Sequence, residues 1–388
     1  MMGYEEDKNF FKNLIRDVLE DLAIDIAELK FPNWYPELIE GIFCEVYGLS
    51  GLASWAFNYL EKYKDSSSAK IIGDRLFCLI DGKSELQPQR ISENRREKLK
   101  RTLLLAAPKE RLEYGFHEIY MLNGIRITIY SGDRTKPGQD IMVFRKYLIE
   151  RGTFETLAEK GTIPGEAADI FKAMVHSGYN VLFSGQVRSG KTTFLRTWQS
   201  YEDETLEGLA VATDPETPWH NLMPKAPIMQ LVADGGELEQ LTKSILRGDN
   251  DYIIMEEMRD GTAYNVALEM LATGTRRSKM TIHDRNPRNI PYKMASKIKE
   301  KYGGDMKNLL RQIYSSYDFC LHFQQDERDR SKKYLMGIYR FRWNEKEEGQ
   351  MQEVCTFNID KKNWSWNADG LLDEDEPIKT LISKMQRS

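Results

Sequence analysis

The sequence predicts an α/β protein whose main domain is built on a parallel sheet. Between residues 180 and 283, short apolar stretches alternate with stretches of helical pattern, which is typical of parallel strands covered by helices. The chain of 388 residues is long enough for about two or three domains of ordinary size. We therefore expect a smaller α/β domain before the sheet and a β-rich segment after it. The predicted core strands are Val181–Phe183, Leu209–Ala212, Ile228–Val232, Tyr252–Met255 and Met280–Ile282.

The N-terminal part is predicted to contain two segments. Residues 1–66 are expected to form a helical segment, because apolar side chains recur every four residues near its start. Residues 67–150 are expected to form the smaller α/β domain, because hairpin-type turns, a basic helix and a strand follow one another there. These predictions rest on Phe10, Leu14, Val18 and Leu22 in the first segment, and on Asp81-Gly82, Glu93–Ala106, Asn123-Gly124 and Ile141–Phe144 in the second.

The rest of the chain is predicted to form the main domain and an extension. Residues 151–325 are expected to form the main domain, which opens with a helix that starts near Pro164 and is closed by Gly178. The chain becomes rich in strand patterns near its end. Residues 326–388 are therefore expected to form a β-rich C-terminal extension, which ends in the acidic stretch Asp373–Glu376 and one short helix.

Composition and charge exclude several classes of protein. The net charge of −5 argues against a large nucleic-acid surface, which requires a basic excess, so direct nucleic-acid binding is not expected. The four cysteines are widely spaced and lack the spacing of zinc ligands. The acidic start is not a signal peptide, and no apolar run approaches the ~18 residues of a membrane span. We expect a cytoplasmic protein, and a peripheral subunit if it acts at the cytoplasmic membrane.

One motif predicts a nucleotide site. Residues 185–192 read Gly-Gln-Val-Arg-Ser-Gly-Lys-Thr, which matches the P-loop pattern in full between a predicted strand and a predicted helix. The glycines let backbone N–H groups surround phosphate oxygens, and the helix N-terminus adds partial positive charge. A glycine-rich turn alone would lack the flanking strand and helix. The predicted ligands of ATP and Mg²⁺ are Gly185, Arg188, Ser189, Gly190, Lys191, Thr192 and Thr193, with the Thr192 hydroxyl on Mg²⁺.

Two later strands carry candidate catalytic side chains. Residues 251–257 form an apolar strand that ends in Glu256 and Glu257. In a P-loop enzyme such an acid holds Mg²⁺ through water or orients the attacking water; otherwise it is an ordinary solvated strand end. The stretch 281–283 ends in His283, which is either a structural histidine or a sensor of the terminal phosphate.

The order of these motifs resembles that of the secretion ATPases, the hexameric traffic ATPases of type II and type IV secretion, type IV pili and tight-adherence pili. The resemblance covers roughly residues 110–325 and adds several motifs to the P-loop. These are the acidic box at Asp214-Pro215-Glu216, the Walker B stretch Asp251–Asp260 with Glu257 and Arg259, the run Ala272-Thr-Gly274, the stretch Thr281–Arg288, the linker Lys160–Ile163, and Arg126, Arg145 and Lys146 upstream.

This resemblance implies a RecA-like P-loop domain and an ATP-hydrolysing, Mg²⁺-dependent motor. Such a motor forms a homo-oligomeric ring, expected to be a hexamer, and powers protein or DNA secretion, conjugation or pilus assembly. Its expected partner is an inner-membrane platform or coupling protein. The catalytic residues that it implies are Glu257, Glu216, Asp214, His283 and Arg259, with Glu257 also on Mg²⁺ through water.

Three arginines precede the P-loop domain and are expected to contact ATP. Arg126, Arg134 and Arg145 carry forked guanidinium groups that suit phosphate oxygens. Arginines brought in by domain closure would couple ATP binding to motion. The alternative is that they are solvated residues at strand edges.

Departures from the family pattern leave other functions open. Thr213 and Thr275 replace an acid and a histidine, and Glu256 replaces a glycine. A nucleotide-binding scaffold that hydrolyses ATP poorly is therefore an alternative to the motor. A small-molecule kinase or GTPase ranks lower, because the guanine-reading Asn-Lys-x-Asp motif is missing from the sequence. The motifs leave the secretion or pilus branch open.

Overall fold

The structure is a computed structural model, and it divides into two compact units, residues 1–148 and 149–388. It describes residues 5–24, 29–105, 115–121, 125–146, 152–212, 217–233, 235–344, 346 and 348–386. The four segments expected from the sequence remain a prediction. The helices before residue 66 and the strands after it share one hydrophobic core in the first unit.

The first unit contains a six-stranded antiparallel sheet, and its strands lie in the order β3 (Lys83–Arg90), β2 (Arg75–Ile80), β1 (Ser68–Ile72), β6 (Ile141–Arg145), β5 (Arg126–Tyr130) and β4 (Phe116–Tyr120). A hairpin turn at residues 81–82 joins β2 to β3, as the sequence predicts. Residues 122–124, with the second predicted turn, lie outside the described residues. The elements are α1 (Glu5–Asp21), α2 (Leu38–Val46), α3 (Ala53–Ala56), β1 (Ser68–Ile72), β2 (Arg75–Ile80), β3 (Lys83–Arg90), α4 (Glu93–Leu105), β4 (Phe116–Tyr120), β5 (Arg126–Tyr130) and β6 (Ile141–Arg145).

Helix α1 buries a different face from the one with the most regular apolar spacing. Ile15 and Leu19 are buried, and the helix packs on α2. The residues at every fourth position lie on the outer face, where Phe10 is 65% exposed and Leu22 is 64% exposed. The spacing of four between apolar residues therefore predicts a helix correctly, but a different set of apolar residues forms the buried face of that helix.

The second unit is built on a nine-stranded sheet. The first part of the unit alternates strands and helices: α5 (Phe154–Glu159), α6 (Ala168–His176), β7 (Val181–Gly185), α7 (Lys191–Gln199), β8 (Gly208–Ala212), α8 (Trp219–Leu222), β9 (Ile228–Val232), α9 (Gly235–Ile245), β10 (Tyr252–Met258), α10 (Gly261–Ala272) and β11 (Lys279–His283). Then come α11 (Ile290–Tyr302), α12 (Met306–Ser316), β12 (Phe319–Gln325), β13 (Lys333–Trp343), β14 (Gly349–Asn358), β15 (Asn363–Trp366) and α13 (Glu376–Met385).

The strand order is β15-β14-β13-β12-β7-β11-β10-β8-β9. The pairs from β12 to β9 are parallel, whereas β13, β14 and β15 extend the same sheet with antiparallel pairs. Every predicted core strand is present. Because β7 is central and its carboxyl end lies between those of β11 and β12, a ligand site is expected at this edge of the sheet.

Both faces of the sheet are covered, as the unbroken apolar runs require. Side chains alternate along β7, so Val181 and Phe183 join one hydrophobic core while Leu182 joins the other. Helices α6, α7 and α13 contribute to the first core, and α9 to α12 contribute to the second. Among the residues that the structure describes, no helix has both the length and the apolar character that a membrane span requires.

Candidate functional site

The turn after β7 requires glycine at two positions. Gly185 has a φ of 146°, and a methyl group on its Cα would lie 2.1 Å from the carbonyl oxygen of Phe323 on β12. Gly190 has a φ of 95° and is the N-cap of α7. Only glycine adopts these conformations at low cost, and it lets the backbone approach both β12 and a ligand closely. Residues 185–190 therefore form a tight loop that ends at a helix N-terminus.

The first turn of α7 begins at Lys191 and contains Thr192 and Thr193, both half-buried. The N–H groups of a first turn have no partner within their own helix, so they point toward the loop as donors for an anion. Ser189 is buried beneath the loop, and Arg188 is exposed with a φ of 64°. The motif thus has the geometry of an anion-binding loop, and nucleotide binding by these residues stays a prediction.

The Lys191 ammonium group points back into the loop. It donates hydrogen bonds to the carbonyl oxygens of Gly185, at 3.1 Å, and Gln186, at 2.8 Å, and contacts Nδ1 of His283 at 3.1 Å. The side chain is almost completely buried. These acceptors hold the charge where a bound phosphate would replace them.

Glu257 lies at an irregularity in strand β10. Its φ is 60°, in the left-handed region, and the register between β10 and β11 shifts between Met255 and Met258. Its N–H donates to Oγ1 of Thr281 on β11, at 2.6 Å. A bulge of this kind redirects a side chain at the end of a strand, and a left-handed non-glycine residue marks local strain that is frequent at functional sites.

The Glu257 carboxylate lies between two donors. Nε2 of His283 is 2.9 Å from one oxygen, and a guanidinium nitrogen of Arg259 is 2.7 Å from the other. Burial alone would raise the pKa of Glu257, but the hydrogen bonds from His283 and Arg259 outweigh it and lower the pKa to about 2. The carboxylate is therefore ionised at neutral pH.

Lys191, His283, Glu257 and Arg259 form one continuous chain of polar contacts. Lys191 can only donate hydrogen bonds, so Nδ1 of His283 is the acceptor in their contact. The ring proton of His283 therefore lies on Nε2, which donates it in a hydrogen bond to Glu257. His283 thus links the loop lysine to the carboxylate of Glu257.

The two adjacent glutamates have different surroundings. Glu256 is buried and pairs in register with Ala212 on β8, whereas Glu257 turns toward β11. Strand alternation predicts opposite directions for the two side chains, and the bulge adds the turn of Glu257 toward His283. Directly after Arg259, Asp260 caps α10 by accepting from the N–H of Ala263 at 2.9 Å.

Two residues near the site were not singled out in the sequence. Lys293 on α11 donates to the carbonyl oxygen of His283, at 2.6 Å, and to Asp284, at 3.1 Å, which fixes the end of β11. Nδ1 of His322 on β12 is 2.9 Å from Oγ of Ser184, its register partner on β7, and burial lowers the pKa of His322 to about 4. Only the three-dimensional neighbourhood reveals either role, because both residues are distant in sequence.

The remaining candidates lie elsewhere. Asp214 and Glu216 are outside the described residues, so their part in the site stays a prediction. Arg126 and Arg145 are register partners on β5 and β6 in the first unit, and Arg126 pairs with Glu118 at 3.0 Å. The third predicted arginine, Arg134, is exposed in a short turn of the same unit. Their contact with ATP stays a prediction.

Lys146, whose position resembles that of a family arginine, is engaged inside the first unit. Its ammonium donates to the carbonyl oxygen of Trp55 at 2.6 Å, to Oδ1 of Asn58 at 2.5 Å and to the carbonyl oxygen of Tyr63 at 3.2 Å. Burial lowers the pKa of Lys146 to about 8. These contacts give Lys146 a structural role within the first unit.

The site fits a nucleotide with Mg²⁺. Magnesium in nucleotide sites keeps several waters and takes substrate phosphates plus one or two protein groups. Thr192 at the start of α7 supplies a hydroxyl, and Glu257 supplies an ionised carboxylate that can hold a water. Among the described residues, no group of three or more histidine, cysteine or acidic side chains forms a separate metal site.

Comparison with known proteins supports this interpretation. Residues 137–316 match the family model of the type II/IV secretion system protein. A curated relative, an uncharacterized protein of Bacillus anthracis, is 23% identical over 220 residues, which are 56% of this chain and 48% of the relative. The matched region thus spans about half the length of that relative.

Solved structures share the fold. The pilus retraction motor PilT with bound ADP is similar with a TM-score of 0.52 at 15% identity, covering 83% of this chain and 84% of PilT. The ATPase DotB of Yersinia pseudotuberculosis has a TM-score of 0.51 at 16% identity, covering 93% of this chain and 88% of DotB. These structures confirm the expected RecA-like α/β fold with an N-terminal domain. The match of residues 137–316 therefore indicates a similarity of this part of the chain to the type II/IV secretion ATPases.

Proposed function

We propose that the chain is a Mg²⁺-dependent ATPase that acts as a motor for secretion, conjugation or pilus assembly. The observation that carries this proposal is the convergence of Lys191, His283 and Glu257 from three different elements at one edge of the sheet. A phosphate-binding lysine, a proton-bearing imidazole and an ionised carboxylate are the groups that ATP hydrolysis requires. The match of residues 137–316 to the type II/IV secretion system family model supports the same activity.

Nucleotide binding exchanges the internal partners of Lys191. The loop N–H groups and the ammonium of Lys191 bind the β- and γ-phosphates, and the ammonium leaves the carbonyl oxygens of Gly185 and Gln186. The Thr192 hydroxyl would hold Mg²⁺, with Glu257 contributing through water. The metal ion, when bound, neutralises charge that develops on the phosphates.

Hydrolysis depends on the orientation of Glu257. The hydrogen bonds that lower its pKa keep Glu257 ionised, so the carboxylate can orient and polarise the attacking water. His283 holds that carboxylate, and its contact with Lys191 makes it sensitive to the terminal phosphate. Arg259 balances the charge. Asp214 and Glu216 are proposed to assist from the end of the neighbouring strand β8.

Nucleotide binding through Lys191 is the first expected result. The Lys191→Ala variant loses a charge-assisted contact of a kind worth ~1.5–3 kcal/mol, so ATP should bind at least about tenfold more weakly. Isothermal titration with Mg-ATP measures the change. Lys243→Ala, at an exposed lysine of α9, is the matched control and should bind normally. Unchanged affinity in Lys191→Ala would exclude the proposed nucleotide site.

We also propose a homo-oligomeric ring, expected to be a hexamer, which works on an inner-membrane platform or coupling protein from the cytoplasmic side. In such a ring Arg126, Arg134 and Arg145 are proposed to contact the nucleotide and to couple it to domain closure. Their position in the unit that precedes the P-loop unit supports this role.

The mass of the protein in solution tests the proposed ring. At micromolar protein with Mg-ATP, light scattering should give a mass several times that of the 45.2 kDa chain. Lys191→Ala should lose the part of this mass that depends on ATP, because it binds the nucleotide poorly. A strictly monomeric mass for the wild type with bound ATP would contradict the ring.

A further inference from the structure

Lys333 is the first residue of β13, and its side chain lies on the P-loop. A methyl group placed on the Cα of Gly190 would be 3.2 Å from Cδ of Lys333. Strand β13 pairs with β12, and β12 is the parallel neighbour of the P-loop strand β7. The stem of Lys333 thus covers the last glycine of the loop from the β12 side.

A second lysine lies near the first. The N–H of Leu335 donates to the carbonyl oxygen of Thr162 at 2.8 Å, so the segment that contains Lys160 runs beside β13. Burial, and then the charge of Lys160, lower the pKa of Lys333. In the described part of the chain, neither lysine forms a side-chain hydrogen bond or an ion pair with a protein group. Two neighbouring cations without a carboxylate favour an anion between them.

The residues on the β11 side of the loop indicate the direction in which a bound nucleotide lies. Lys191 and His283 mark the position of the terminal phosphates, and His283 belongs to β11. Strand β12 flanks β7 on the opposite side from β11. A nucleotide with its terminal phosphate toward β11 therefore extends its α-phosphate and nucleoside toward β12 and β13, where Lys333 lies.

We propose that Lys333 binds the α-phosphate of the nucleotide from the β12 side of the P-loop, and that Lys160 adds to the positive potential there. The inference deepens the proposed ATPase function and rests on it. Lys191 acts on the β- and γ-phosphates, of which ADP keeps only the β-phosphate, whereas the α-phosphate is present in both nucleotides. Lys333 thus contributes equally to ATP and ADP and retains the nucleotide after hydrolysis.

The test uses Lys333→Met, which keeps most of the stem on Gly190 and removes the charge. Equilibrium titration of the full chain should show that Mg-ATP and Mg-ADP both bind about tenfold more weakly, by the same factor, as expected for one lost charge-assisted contact. Mg-pyrophosphate, which lacks the nucleoside and competes for the loop, should keep its competition constant. Lys332→Met is the matched control, because Lys332 is an exposed neighbour 3.4 Å from Asp329.

The outcomes separate this inference from the ATPase proposal. If Lys333→Met binds ADP as tightly as the wild type, Lys333 is only a packing residue on the loop, and the ATPase proposal stands. If the wild type binds neither ATP nor ADP, both proposals are wrong. Lys333→Gln is a second neutral variant that should show the same loss, and unchanged thermal melting shows that both variants are folded. If Lys333→Met weakened the binding of pyrophosphate by the same factor, the assignment of Lys333 to the α-phosphate would also be wrong.

Discussion

Replacing Glu257 by glutamine is expected to lower ATP turnover by ~10²–10⁴-fold, the contribution of a positioned acid–base group. The amide keeps the shape of the side chain, and it can still accept a hydrogen bond from His283. It loses the negative charge that polarises water and that Arg259 balances in the wild type. ATP affinity should change little, because the P-loop and Lys191 supply the main contacts with the phosphates.

The measurement is steady-state release of phosphate, together with an ATP titration of each variant. Glu256→Gln is the matched control, because Glu256 is the neighbouring residue and strand alternation predicts that its side chain leaves β10 on the face opposite to that of Glu257. That variant should keep most of the turnover. Full turnover in Glu257→Gln, with an inactive Glu216→Gln, would show that the acidic box carries the catalysis. A wild type without turnover, even with its membrane partner, would favour a nucleotide-binding scaffold.

The sequence predicts the strand, the glycine turn and the helix of the P-loop motif well because their determinants are local. Gly185, Gly190 and Lys191 lie within one short stretch, residues 185–191, and the strand before them and the helix after them have clear patterns. The same holds for the strands of the sheet, whose apolar runs are bounded by turns. Alternation along β10 is also local, and the strand pattern alone separates the direction of Glu256 from that of Glu257.

The contacts between these elements could not be predicted in the same way. The bulge at Glu257 depends on pairing with Thr281, and the hydrogen bond from His283 to Glu257 joins residues that are 26 positions apart. Sequence periodicity also could not show that β13 extends the central sheet and brings Lys333 to Gly190. Such contacts arise from strand order, which a single sequence does not encode in any local pattern.

The opposite edge of the sheet holds a buried ionic network that anchors the C-terminal segment. Nε of Arg340 on β13 is 3.0 Å from Asp375, and its other nitrogens contact Asp318 at 3.0 Å and Glu374 at 2.5 Å. Asp375 is completely buried and also accepts from the hydroxyl of Tyr179 at 2.8 Å. The network therefore ties the chain before α13 to the starts of β7 and β12.

Removing Arg340 is expected to destabilise the second unit by ~3–5 kcal/mol, because it leaves a buried carboxylate without its cation. The Arg340→Met variant keeps the apolar volume of the stem, so the loss of stability measures the effect of the missing charge and not that of a cavity. Amide hydrogen exchange in β7 and β13 measures the loss within this unit. Arg342→Met, two residues further along the same strand and exposed, is the control and should change stability by less than ~0.5 kcal/mol.

A second substitution distinguishes the cost of a buried charge without its cation from the cost of lost contacts alone. In the double variant Arg340→Met, Asp375→Asn, the buried position no longer carries a negative charge. The amide oxygen can still accept from the N–H of Leu372, and the amide NH2 can donate to the hydroxyl of Tyr179, which contacts the other oxygen of Asp375 in the wild type. Neutralising a buried charge that has lost its partner removes most of its desolvation penalty. The double variant should therefore be more stable than Arg340→Met alone. If it is less stable, the two losses add as independent contacts, and Arg340 stabilises the unit through packing and hydrogen bonds rather than by neutralising Asp375.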